Sequence, residues 1–317
     1  MGKRHTFAMI ANVVKHAGRS TKSMQEMRVL TRLAAALVAV LMLLLPALWN
    51  GFALLQYDTG GYLARWYQGT LEISRSVVYG LFLASLHGFD FWPALVAQSL
   101  VTVWVLALTL RVQGHGGPAA LFAVTAMLCV FTTLPWLTGI LLTDIFAGLA
   151  VLAAYLLIFR GDDLRRAERW ALVALLAFAA ATHSATLAVL GALVVSAMVA
   201  ARLDRTLAPP AGIRRAAAAL ALGVALVFAG NALVAKRLAW TPGGVSLVFG
   251  RLLQDGIVHR YLAEHCPDPR LKLCAHRTEL PRDADEFFWG EGIFDTLGRF
   301  KGLDREMTTI VVDSLAA

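Results

Sequence analysis

Two aspartates sit where an apolar chain should be reluctant to keep a charge. Asp58, in Leu55-Gln56-Tyr57-Asp58-Thr59-Gly60-Gly61-Tyr62, follows the first long apolar run by a few residues, and Asp144 stands at the mouth of a later one. A carboxylate beside hydrocarbon is costly and marks a functional site by default. Arg65 and Arg75 lie between the two acids, and His183 separates two further apolar runs in Ala181-Thr182-His183-Ser184-Ala185. These are residue types for proton transfer and anion binding. Each also has a plainer reading. Asp58-Thr59-Gly60-Gly61 makes a good turn, Asp144 suits a helix N-cap, His183 can satisfy helix ends, and Arg75 can snorkel to headgroups. Tyr57, Tyr62, Trp66 and Trp92 suit an interfacial aromatic belt at least as well as a platform for stacking an acceptor.

The elements around these residues are membrane helices. Of 317 residues, 58% are hydrophobic and only 16% charged, against about 45–50% and about 25% in soluble domains. In hydrocarbon every backbone amide must be satisfied within its own segment, which selects helices. The sequence predicts an all-α, polytopic transmembrane bundle of about seven spans, at 33–54, 92–111, 118–136, 142–159, 169–183, 185–202 and 216–235. Residues 1–32 form a basic tail ahead of it, with a short amphipathic helix around Phe7 to Lys15. The first apolar run is too long for a signal-peptide core and reads as an uncleaved span.

Charge sets the orientation. With the N-terminus inside, the inner segments carry sixteen Lys and Arg, whereas the outer loops before the last span carry two, Arg65 and Arg75. That asymmetry satisfies the positive-inside rule, and a long exported region is exempt from it. The C-terminus is then outside, with 236–317 an external, mostly helical region. The formal charge of +8 reports topology, and no basic stripe with interleaved aromatics indicates nucleic acid. In the external loop 55–91 the spacing of Tyr62, Leu63, Trp66 and Tyr67 predicts one juxtamembrane helix, and Val77 to Leu86 a second.

The order of span, acidic turn, amphipathic helix, interfacial helix and span resembles the polyprenyl-phosphate-dependent glycosyltransferases of the GT-C fold. The matching features are Asp58 after the first span, Ser74-Arg75-Ser76-Val77-Val78-Tyr79-Gly80-Leu81-Phe82-Leu83 at the juxtamembrane helix, and Thr143-Asp144-Ile145-Phe146 in the second external loop. Two prolines that the family carries after the arginine are absent here, as is the proline that many members carry after the second acid. The resemblance covers about 33–235. It implies an inverting transfer from a lipid-linked sugar donor on the outer face of a bacterial inner membrane. Asp58 and Asp144 are the implied catalytic acids, and Arg75, Arg65, Tyr79 and His183 the implied substrate or phosphate contacts. It also allows a divalent cation, magnesium or manganese, on Asp58 and Asp144. The acceptor, a lipid, glycan or protein, is open. A transporter or flippase of a lipid-linked or anionic substrate, and a non-catalytic membrane scaffold, are the alternatives. A transporter predicts internal repeats and broken helices, and no clear repeat is present.

In the external region Cys266 and Cys274, with seven residues between them, read as a loop-closing disulfide. A zinc site with His265 and His276 is the rival, against the usual two-residue cysteine spacing of structural zinc. Cys129 is a packed small hydrophobe, and His115 has no partner in view. Amphipathic helices are expected over 248–263 and 304–315. Between them, Asp285-Glu286-Phe287-Phe288-Trp289-Gly290-Glu291-Gly292 is a packing cluster or an acceptor-binding lid.

Overall fold

The computed structural model describes residues 2–67, 75–204, 206, 208–236, 238–241 and 244–316, without the side chains of 2–24, 65, 235, 300 and 301. The described residues are helical, with one isolated parallel bridge between Leu54 and Ile140 in place of any sheet. The chain divides into two compact units that meet in sequence at Leu238 and Ala239.

The first unit begins with α1 (Gly2–Asn50), which continues without a break through the expected tail and amphipathic segment. It stops where Gly51 takes a left-handed backbone (φ 84°) and its N–H returns to Ala47 O at 2.9 Å, a glycine helix end. Two short helices follow, α2 (Tyr57–Tyr67) and α3 (Val77–Ser85). Ser76 starts α3 by accepting hydrogen bonds from the Val78 and Tyr79 amides at 3.1 and 3.2 Å, a serine N-cap. Three consecutive left-handed residues, Phe89, Asp90 and Phe91, then turn the chain into α4 (Trp92–Val112), with Pro93 in its first turn.

Next come α5 (Pro118–Phe131), α6 (Leu134–Gly139), α7 (Asp144–Phe159), α8 (Arg166–Thr182), α9 (Ser184–Leu203) and α10 (Pro210–Ala235). The expected third span, 118–136, is two helices. Thr132 is extended (φ −136°, ψ 171°), and Pro135, which has no N–H to donate, opens α6 as a separate turn and a half. Four helical stretches are long and apolar enough to cross a membrane: Gln25–Asn50, Trp92–Val112, Ser184–Leu203 and Pro210–Val234. The other three expected spans fall on α5, α7 and α8, of 14, 16 and 17 residues, short of the roughly 20 a helix needs to cross unaided.

Small residues bring the helices close. A Cβ on Gly223 of α10 would lie 2.7 Å from Ala177 O and 2.8 Å from Ala180 Cβ on α8, so glycine is what permits that approach. In the α2–α3 pair, a Cβ on Gly80 would lie 2.2 Å from Tyr62 O and 2.6 Å from Trp66 Cδ1. Close backbone approach through small residues is the usual packing device where lipid offers no hydrophobic drive between helices.

The second unit holds α11 (Val245–Gln254), α12 (Ile257–His265), α13 (Ala284–Trp289), α14 (Ile293–Thr296) and α15 (Arg299–Ala316). The single helix expected over 248–263 is broken at Gly256, left-handed at φ 75°. Cys266 and Cys274 form a disulfide with Cα atoms 5.6 Å apart. That bond consumes both thiolates and overturns the zinc alternative at His265 and His276. Phe249, Phe287, Phe294, Leu303, Met307 and Ile310 make the unit's core, so Phe287 and Phe288 serve packing while Trp289 stays exposed.

Candidate functional site

Four chain turns meet at one end of the first unit, each through a contact that can be named. The bridge joins the first and third. Leu54 N–H donates to Gly139 O, and Leu141 N–H donates to Leu54 O, both at 3.0 Å. One turn into α2, the Thr59 hydroxyl donates to Leu141 O at 3.1 Å, and the Tyr62 hydroxyl lies 3.5 Å from the Thr143 hydroxyl. The start of α2, with Asp58 in its first turn, is therefore stitched to the residues just before Asp144.

The second turn joins the first by charge. The Arg75 guanidinium is ion-paired and hydrogen-bonded to Asp58 Oδ1, with side-chain exposures of 19% and 41%. The Arg75 stem crosses Gly61, where a Cβ would meet its Cγ at 3.0 Å, and its guanidinium carbon lies 5.8 Å from the Tyr62 ring centre. A cation over an aromatic face gains about 0.5–2 kcal/mol. The second turn also reaches the fourth, because the Ser76 hydroxyl donates to Ala181 O at 2.8 Å, two residues before His183.

The third and fourth turns close the ring. Asp144 and His183 line one cleft of about 360 Å³ between α7 and α9, whose deeper walls are Val151, Val189 and Leu190. Its mouth is polar and its body apolar. His183 Nδ1 lies 3.4 Å from the Thr186 hydroxyl. Asp144 is exposed and makes no hydrogen bond or ion pair among the described residues.

Beneath the ring a buried polar cluster fixes these turns. Gln98, fully buried on α4, donates from Nε2 to Thr138 O at 3.2 Å and to Ile140 O at 3.1 Å, and accepts from the Tyr79 hydroxyl at 3.0 Å. Tyr79 stands edge-on to Tyr62, with ring centres 4.9 Å apart. Burial pushes the Tyr62 phenol above its ordinary pKa. The Thr143 contact and Arg75 pull it down, and Asp58 and Asp144 both push it up.

Several expected roles change. Asp58 is not in a free turn, because it lies in the first turn of α2 and its partner is Arg75. Asp144 is the first residue of α7 and makes no cap hydrogen bond; Thr143 holds the N-cap position. Tyr79 is fully buried and donates its hydroxyl to Gln98, so this structure does not expose it to a substrate. Tyr62 is buried, Trp66 is half-buried, and the Trp66 indole N–H donates to Val77 O at 2.5 Å, so both pack α2 on α3. Trp49, Phe52 and Tyr57 are exposed rings at the first turn. The Arg65 side chain lies outside the described residues. Gln98 was missed by sequence reasoning, although an amide in the middle of an apolar run is the signal that would have found it.

Among the described residues no group of three or more His, Cys, Asp or Glu side chains is placed to hold a metal ion. One Asp58 oxygen is already engaged by Arg75, which leaves Asp144 as the open carboxylate at the cleft. That is a poor donor set for a protein-held divalent cation. Comparison with protein-family models, curated proteins and solved structures found no match to this chain, so the arrangement is read from its own residues.

Proposed function

We propose that this chain is a membrane glycosyltransferase that takes a sugar from a polyprenyl-phosphate donor at the external face of a bacterial inner membrane. The observation that carries the reading is that the Asp58–Arg75 pair is tied by hydrogen bonds to the segments leading to Asp144 and His183, which line one cleft. Loop solvation would not require an acid and a histidine to line one apolar cleft with an ion pair tied to the segments beside them. The cleft between α7 and α9 suits a donor whose phosphate stays at the mouth while its isoprenoid chain lies along Val151, Val189 and Leu190.

In this reading the acceptor oxygen attacks the anomeric carbon as Asp58 takes its proton. The bond from that carbon to the phosphate oxygen breaks, and polyprenyl phosphate leaves with the electron pair. Arg75, which orients Asp58, is the guanidinium assigned to the phosphate. His183 is the second polar contact at the mouth. No step is routed through a cation. The seven-span topology, with the N-terminus inside and 236–317 outside, belongs to the same proposal. It requires α7, α8 and the α5–α6 pair to cross where partner helices bury their ends or the bilayer thins.

The test supplies purified protein in liposomes with a panel of short-chain polyprenyl-phosphate sugars and follows release of free polyprenyl phosphate by mass spectrometry. Release that depends on protein and on an added acceptor supports the reading. Intact donor that changes leaflet would replace it with a flippase, and an inert donor with a scaffold.

A further inference from the structure

Within α1, beside the turn between α4 and α5, a crevice of about 240 Å³ opens between α1, α4 and α5, lined by Arg32, Ala36, Leu110, Arg111, Pro118 and Leu121 among others. Its body is apolar and its mouth is basic. Arg111 is neutralised, since its two terminal nitrogens donate to the two Glu168 oxygens at 2.7 and 2.8 Å. Arg32 is not: it is exposed and has no acidic partner among the described residues. Arg28, one turn earlier on the same helical face, has none either. Two like charges four residues apart repel, and here they stand at the start of the apolar stretch beginning at Leu33, where solvation weakens.

A second feature adds positive potential. The 14-residue α5 begins at this crevice with Gly117 as its N-cap and Pro118 in its first turn, and no side chain caps it. Its first amides therefore lack the oxygen that a serine or aspartate would supply, and the helix dipole favours an anion there.

We infer that this crevice is a binding site for one anionic phospholipid, with its phosphodiester between Arg28, Arg32 and the start of α5 and an acyl chain along Ala36, Leu110 and Leu121. A free phosphate would satisfy the charge but leave the apolar walls unused, whereas a zwitterionic lipid would fill the walls and bring its own cation against the two arginines. The inference needs only that the helices lie in a membrane. It does not depend on the glycosyl-transfer reading.

Native mass spectrometry of the full chain, titrated with dioleoyl-phosphatidylglycerol or dioleoyl-phosphatidylcholine, tests it. The expected result is one saturable phosphatidylglycerol, bound more tightly than phosphatidylcholine. Arg32→Gln and Arg28→Gln should each weaken it about fivefold, the equivalent of about 1 kcal/mol per basic residue near a membrane surface. Ala36→Phe, which keeps every charge and fills the crevice, should abolish the saturable site, and thermal unfolding of each variant checks that it still folds. Equal binding of the two lipids would overturn the inference. So would an undiminished preference in the Arg28→Gln, Arg32→Gln double variant or in Ala36→Phe, and so would full competition by millimolar inorganic phosphate.

Discussion

Replacing Gln98 with leucine keeps the side chain's volume and removes three hydrogen bonds at once. Two run to Thr138 O and Ile140 O at 3.2 and 3.1 Å, and the third comes from the Tyr79 hydroxyl at 3.0 Å. Inside a bilayer such bonds average about 0.6 kcal/mol and reach about 1.7. A polar group left buried without a partner costs about 1–3 kcal/mol. Gln98→Leu strands the Tyr79 hydroxyl and weakens two carbonyls, so a loss of about 3 kcal/mol is expected. Tyr79→Phe strands only the Gln98 acceptor oxygen and should cost about 1 kcal/mol. In the double variant nothing is left to strand on that link. Its cost should fall short of the sum of the singles by about 1–2 kcal/mol, the signature of a coupled pair. Reversible unfolding by SDS titration in mixed micelles reads all four states of this cycle. Strict additivity would refute the cluster as the brace beneath the site. Gln98→Leu should also lower donor turnover, because Ile140 and Leu141 hold the Leu54 turn against the approach to Asp144.

Other perturbations act elsewhere. Gly80→Ala drives a methyl into Tyr62 O and the Trp66 ring; overpacking of this kind costs about 1–3 kcal/mol, and Trp66 fluorescence should shift as α2 lifts from α3, an unchanged spectrum counting against the close approach. Reducing the Cys266–Cys274 bond reopens a loop of sequence separation 8, worth about 2.5 kcal/mol by the loop-entropy relation; its effect should be read as faster proteolysis within 257–283, and identical cleavage with and without reductant would contradict it. Glu306 is buried and accepts the Lys272 and Leu273 amides at 2.9 and 2.8 Å, and burial holds its carboxyl above the ordinary value of 4.5 despite those bonds. Folding then favours the protonated form, so this contribution is full below about pH 4.5 and lost as pH rises through the higher folded value. Glu306→Gln should flatten the pH dependence of unfolding across that window, and an unaltered slope would refute the assignment.

Composition selects helices, and the second juxtamembrane helix was readable because a short apolar stretch from Val77 ends before Gly88. The one-residue turn at His183 followed from two apolar runs with no loop between them. Span count was less legible, because apolarity does not register a backbone break. Thr132 and Pro135 divide 118–136 without changing its hydropathy. Asp58 and Arg75, seventeen residues apart, were singled out for separate reasons, yet nothing local says that they pair, since that contact depends on how α2 folds back on α3. A motif position does not say which way a ring points, and the Tyr79 ring is buried with its hydroxyl on Gln98. The Leu54–Ile140 bridge has no sequence signature at all, being a single pair of extended residues between helices.

Substituting Asp58→Asn isolates the central claim, because it preserves size and can still accept the Arg75 hydrogen bond while losing the charge and the basicity. Acceptor-dependent release of polyprenyl phosphate should fall by at least about a hundredfold, the lower range for loss of a general base, with expression, membrane insertion and donor binding unchanged. Release at the wild-type rate in a correctly inserted Asp58→Asn protein would contradict the account.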